Sequence, residues 1–130
     1  MAGFHHVELW ISDLAEARVE WSWLLCELGF EREGEWSEGE SWAAGGTYLT
    51  LTTSPNLSAV AHDRRAPVVN HLAFKAGAPT RVDRIMTQAE RHGWCPLYQD
   101  RYPHAGGSDH YAGWLQNSAG FKVELVANES

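Results

Sequence analysis

At 130 residues, with 44% apolar and 21% charged side chains, the chain suits one folded domain with a substantial core. A formal net charge of −7 argues against a nucleic-acid partner, which needs a lysine and arginine surplus. No run approaches the roughly 18–20 apolar residues of a membrane span, no signal peptide is visible, and two cysteines are too few for a disulfide framework, so a reducing cytoplasm is the expected compartment.

In chain order, the first element is a strand within Phe4–Ile11, headed by the doublet His5-His6. Asp13, with Glu16 three residues on, suits a helix N-terminus. Leu14, Ala17, Trp21, Leu24, Leu25 and Leu28 then form one helical stripe, and Gly29 stops it. Strand-like segments follow at about 30–36, 41–44 and 47–53, with Gly45-Gly46 turning between the last two. The polar, proline-flanked stretch at about 55–67 reads as a linker. A second unit then repeats the order. His71 heads a strand, Thr80 is the expected N-cap with Asp83 three residues on, Val82, Ile85, Met86 and Ala89 make the stripe, and Gly93 ends it. Further strands are expected at about 95–101, 110–116 and 121–127. His6 and His71 are 65 residues apart (71 minus 6), and Gly29 and Gly93 are 64 apart (93 minus 29). The chain is therefore α+β, with two βαβββ modules at about 4–54 and 68–128 in a single 1–130 domain. Each module alone is marginal in size, so the two should pack together or against another chain.

Alternation assigns faces. His5, Val7, Leu9 and Ile11, then Leu49 and Leu51, Leu72, Phe74 and Ala76, and Val123 and Leu125 make the helix-packing side. The other side collects His6, Glu8, Trp10, Tyr48, Thr50, His71, Lys75, Lys122 and Glu124. Such a face can simply be solvated, but two histidines and a glutamate occupy repeat-related positions on it.

These features resemble the vicinal oxygen chelate superfamily, which spans glyoxalase, bleomycin-resistance, fosfomycin-resistance and extradiol dioxygenase proteins. The likeness rests on "HHVELWISDL" with its helix and "LGF", on "NHLAFKA", and on "NSAGFKVELVA". It implies paired βαβββ modules forming a curved mixed sheet around a metal or ligand cavity, with helices outside. By position it implies metal ligands at His6, His71 and Glu124. Thr50 falls at a fourth ligand place and is a poor donor, which disfavours the glyoxalase I isomerase reaction. Two histidines and a carboxylate leave positions open for two substrate oxygens and suit Fe, Mn, Ni or Zn, with the metal as Lewis acid.

Around that centre, Glu8, His110 and Tyr111 are candidate proton-transfer groups. Trp10, Tyr48, Thr50, Lys75, His104 and Trp114 are candidate substrate contacts, with Trp42 a possible further wall. His104, His110 and Tyr111 lie in a His-, Tyr- and Gly-rich stretch that reads as a flap over the metal. Glu38 and Glu40 sit in a loop-like segment where a general base is conceivable, and Cys26 and Cys95 read as structural. The expected function is a divalent-metal-dependent enzyme acting on a small substrate chelated through two oxygens: a lyase, isomerase, hydrolase or transferase of the glyoxalase or fosfomycin-resistance type. The alternatives are an extradiol-type dioxygenase and a metal-free, drug-sequestering, bleomycin-resistance-like binding protein. The resemblance also implies a homodimer, with the metal site intrachain or shared.

Overall fold

The computed structural model describes residues 2–130, which divide into two compact units on either side of the 61/62 boundary. The first holds β1 (His6–Trp10), α1 (Leu14–Glu27), β2 (Glu31–Trp36), β3 (Gly39–Ala44) and β4 (Thr47–Thr52). Its sheet has the order β1-β4-β3-β2, with β1 parallel to β4 and the other pairs antiparallel. The second holds β5 (Leu72–Lys75), α2 (Pro79–Gln88), β6 (Trp94–Leu97), β7 (Ala112–Asn117) and β8 (Lys122–Val126). Its order is β5-β8-β7-β6, again with one parallel pair, β5 with β8. The βαβββ repeat is thus present twice, as two four-stranded mixed sheets.

Local chemistry accounts for most boundaries. Asp13 caps α1 by accepting from the Glu16 amide at 3.0 Å. Gly29 follows the helix at φ 92°, a left-handed conformation that costs other residues a Cβ clash. Gly45 and Gly46 both have positive φ, 57° and 84°, which a two-residue hairpin turn demands. The start of α2 differs from the sequence expectation. Its N-cap is Ala78, Pro79 opens the helix, and Thr80 lies inside the first turn. Proline is preorganised for that opening position, and its missing N–H is no loss there. The expected strand at 95–101 is also shorter: it ends at Leu97, Tyr98 turns left-handed at φ 58°, and a 3-10 turn follows over Gln99–Arg101.

The cores follow the expected stripes. Trp21, Leu24 and Leu25 are buried in the first unit with Ile11, Leu49 and Leu51, and Val82, Ile85 and Ala89 in the second with Leu115, Val123 and Leu125. Each buried valine, leucine or isoleucine among them contributes about 1.5–3 kcal/mol of transfer free energy. Gly113 lets β7 approach α2, since a Cβ there would collide with the Met86 thioether. One charged position runs against expectation. Glu40 is not in a loop: it lies in β3, fully buried on the α1 side, where Arg18 Nε donates to it at 2.8 Å and the Trp42 indole N–H donates as well. Trp42 is therefore core, 4% exposed, rather than a pocket wall. On β8, Lys122 and Glu124, which alternation puts on the face opposite the helix-packing side, are both buried.

Candidate functional site

Glu124, in the middle of β8, gathers the titratable groups of the second unit. Its Oε1 lies 3.3 Å from His71 Nε2, and its Oε2 hydrogen-bonds His110 Nε2. The parallel β5–β8 ladder explains the first contact. Ala73 is the register partner of Glu124, and His71 immediately precedes β5 on the same face. Trp114, the antiparallel partner of Glu124 on β7, closes the other flank, with its ring 5.0 Å from that of His71.

The tautomer of His71 follows from its neighbours. Asn70 Nδ2 donates to the Arg64 carbonyl at 3.0 Å, which fixes the amide so that Oδ1 faces His71. His71 Nδ1 then donates to that Oδ1 at 2.7 Å. A neutral imidazole so held presents the Nε2 lone pair toward Glu124 Oε1. Two lone pairs facing each other at that range require a proton or a cation between them. Orientation of a ligand imidazole through its other nitrogen is also the usual support of metal-binding histidines. His71 and Glu124 therefore fit a divalent ion by donor chemistry and by orientation. Among the described residues no three His, Cys, Asp or Glu side chains form a ready metal-binding group. His71 and His110 instead engage different oxygens of one carboxylate.

In the first unit, His6 is exposed at the head of β1 and stacks on Tyr48, its register partner, with ring centres 4.7 Å apart and planes 4° apart. His6 Nδ1 lies 2.9 Å from His5 Nδ1. His5 was expected to pack under α1. It is exposed and leans on His6 and Tyr48 instead, because it lies before β1, where alternation does not bind it. Glu8 accepts from the Trp10 indole at 2.7 Å, and both are exposed. The Thr50 hydroxyl, buried, is shared with Ser41 at 2.8 Å. A surface concavity of about 510 Å³ off this sheet is lined by Glu31, Glu33 and the Gly45-Gly46 turn, and reaches these residues only at Tyr48.

The stretch before β7 divides its roles. His110 turns to Glu124, whereas Tyr111 turns to α2 and donates to Asp83 Oδ1 at 2.6 Å. Tyr102 donates to the same oxygen. Burial, with the Asp83 carboxylate, raises the Tyr102 hydroxyl pKa above its ordinary 10.0, and the Asp83 bond raises that of Tyr111. Tyr111 is thus placed as an anchor on the helix side. His104 is exposed, with Nδ1 3.1 Å from the His110 carbonyl. Lys75 is exposed at the end of β5. Sequence reasoning did not find Asn70, although its position directly before His71 was a usable signal.

No family model matches the chain. The uncharacterised protein YqjT of Bacillus subtilis (strain 168) is 41% identical over 125 residues, 95% of this chain and 97% of that one. A Bacillus halodurans crystal structure, provisionally assigned as a glyoxalase, is 38% identical with a TM-score of 0.89, covering 95% of this chain and 94% of that one. The fold alone is shared with the fosfomycin resistance protein FosX of Listeria monocytogenes, crystallised with Mn(II) and a dihydroxypropylphosphonic acid. That pair is 17% identical with a TM-score of 0.68, over 98% and 90% of the two chains. The chain belongs to the glyoxalase, bleomycin-resistance and fosfomycin-resistance proteins, the vicinal oxygen chelate superfamily.

Proposed function

We propose that this chain is a divalent-metal-dependent enzyme whose small substrate binds through two oxygens, with His71 and Glu124 as metal ligands and His6 as the third donor of the superfamily pattern. The observation that carries the reading is the 3.3 Å approach of His71 Nε2 to Glu124 Oε1, with the imidazole oriented by the Asn70 relay. The Mn(II) bound by FosX on the same fold is in keeping with it. A metal bound there would act as Lewis acid, lowering the cost of negative charge on a substrate oxygen. The protein groups divide the remaining work. Asn70 keeps His71 in one tautomer. His110, with Nε2 on Glu124 Oε2, holds or moves a proton at that atom. Trp114 walls the flank beside His71 and excludes water there.

A homodimer in a reducing cytoplasm is the setting we propose, consistent with two exposed, unpaired cysteines. The competing reading, a metal-free binding protein, is favoured by one observation: both oxygens of Glu124 already meet a histidine. Metal analysis by mass spectrometry on protein purified without chelators separates the two. Wild type should carry stoichiometric Fe, Mn, Ni or Zn, which His71→Ala, Glu124→Gln and His6→Ala each lose. Metal content no higher in wild type than in the variants, with no rise in melting temperature on adding these ions, overturns the proposal.

A further inference from the structure

Two residues before Glu124 on β8, Lys122 is buried, and its Nζ donates to the Tyr98 hydroxyl at 2.8 Å. The same Nζ lies 4.9 Å from the ring centres of both Tyr98 and Trp114. Arg101 covers the Tyr98 ring at 5.2 Å. Arg64 donates through Nε to Gln116 Oε1 at 2.8 Å, and Gln116 is the register partner of Lys122. Arg64 also acts electrostatically on the Tyr98 hydroxyl. Three cationic side chains thus converge on one tyrosine. Among the described residues none of the three is ion-paired to a carboxylate. The carboxylate two positions along this face, Glu124, is engaged by His71 and His110. In a chain of net charge −7, a cationic cluster without counter-ions is the reverse of what folding alone favours.

Two further observations point to a ligand. Trp114 Nε1 is buried without a hydrogen-bond partner, although its ring is the platform beneath Lys122. An N–H left so is rare in folded proteins and calls for an acceptor. Tyr98, the residue at the centre of the cluster, holds a left-handed backbone at φ 58° and ψ 34°, a strain that collects at binding sites. The hydrogen bond from Lys122 lowers the Tyr98 hydroxyl pKa, against the opposing effect of burial, with smaller help from Arg64.

We propose that Lys122, Arg64, Tyr98 and Trp114 form a subsite for an oxyanion, the carboxylate or phosphate end of the small molecule that engages the Glu124 side. This deepens the function proposed above and rests on it for the chelating end alone. Side chains two apart on one strand face stand about 7 Å apart, so the molecule is a compact anion rather than a polymer segment. The donors are of the right kind: an ammonium and a guanidinium for charge, and an indole N–H and a phenol for direction.

The test is calorimetric titration of metal-free, full-length protein with inorganic phosphate and, separately, with acetate. Saturable binding of one of them is expected, and which one binds tells phosphate from carboxylate as the natural group. Lys122→Met, which keeps an apolar stem over Trp114, and Arg64→Gln should each weaken binding by about tenfold or more, as loss of a charged hydrogen bond implies. Absence of saturable binding of either anion below about 10 mM, or variants that bind as wild type does, overturns the subsite. If Lys122→Met loses its near-ultraviolet circular dichroism, Arg64→Gln decides alone, since Arg64 lies outside the sheet. Metal analysis keeps the two readings apart. Anion binding without metal uptake overturns the metalloenzyme and leaves the subsite standing, whereas metal uptake without anion binding overturns the subsite alone.

Discussion

Asn70 and His71 are linked by a 2.7 Å hydrogen bond from His71 Nδ1 to Asn70 Oδ1, and the Asn70 amide is itself anchored on the Arg64 carbonyl. The imidazole is thereby held in one tautomer and one orientation. Replacing Asn70 with leucine should lower metal affinity by about tenfold, within the 10–100-fold range for such supports. Competition titration against a metal chelator measures it. The fold should persist, because Asn70 is exposed and precedes β5.

Asp83 Oδ1 accepts from both Tyr111 and Tyr102, which ties the segment before β7 to α2. Tyr111→Phe should cost about 1 kcal/mol, a fall of about 3–5 °C in melting temperature for a chain of this length. Metal affinity should stay within about twofold, since the lost hydroxyl faces the helix. A tenfold loss of metal would place Tyr111 in the site after all.

The same cluster sets an alkaline limit. The Tyr102 pKa is raised by burial and by Asp83, and that of Tyr111 by Asp83, so the folded state holds both protons more tightly than the unfolded chain. The stabilisation is full below the ordinary value of 10.0 and is lost as pH rises above it. Melting temperature should therefore fall from about pH 10 upward, and Tyr102→Phe should flatten the decline. Tyr98 has the opposite sign. Absorbance titration of the four tyrosines should show one ionising below the ordinary value, and Lys122→Met should return it upward.

Beneath α1, Arg18 is the partner of the fully buried Glu40. Arg18→Met strands that carboxylate and should destabilise by about 3 kcal/mol, the low end for a broken buried pair because Arg18 is one-third exposed. The double variant Arg18→Met, Glu40→Leu should recover most of the loss. Urea unfolding of wild type, Arg18→Met, Glu40→Leu and the double variant reads the coupling.

What was legible in the sequence was whatever repeats locally. The 3.6-residue stripe placed Trp21, Leu24 and Leu25 in one core and Val82, Ile85 and Met86 in the other. The two-residue period put Val7 and Leu9 on one side of β1 and Glu8 and Trp10 on the other. The repeat spacing paired His6 with His71, and alternation put Glu124 on the same face as His71, whose Nε2 lies 3.3 Å from Glu124 Oε1. Periodicity failed where a tertiary partner decides. Glu40 is buried because Arg18 reaches it, and Lys122 because Tyr98 and Trp114 enclose it, and neither partner is near in sequence. His5 fell outside the ladder that would have oriented it. The segment over residues 98–111 has no period at all, so nothing in it distinguished His110, which meets Glu124, from Tyr111, which meets Asp83.

Cys26 on α1 and Cys95 on β6 are both exposed, and each belongs to a different unit. The native chain thus carries one thiol handle on either half, without any engineered cysteine. A label on each thiol turns the wild-type protein into two local reporters, so the response to phosphate or to an added metal ion can be read in one unit at a time.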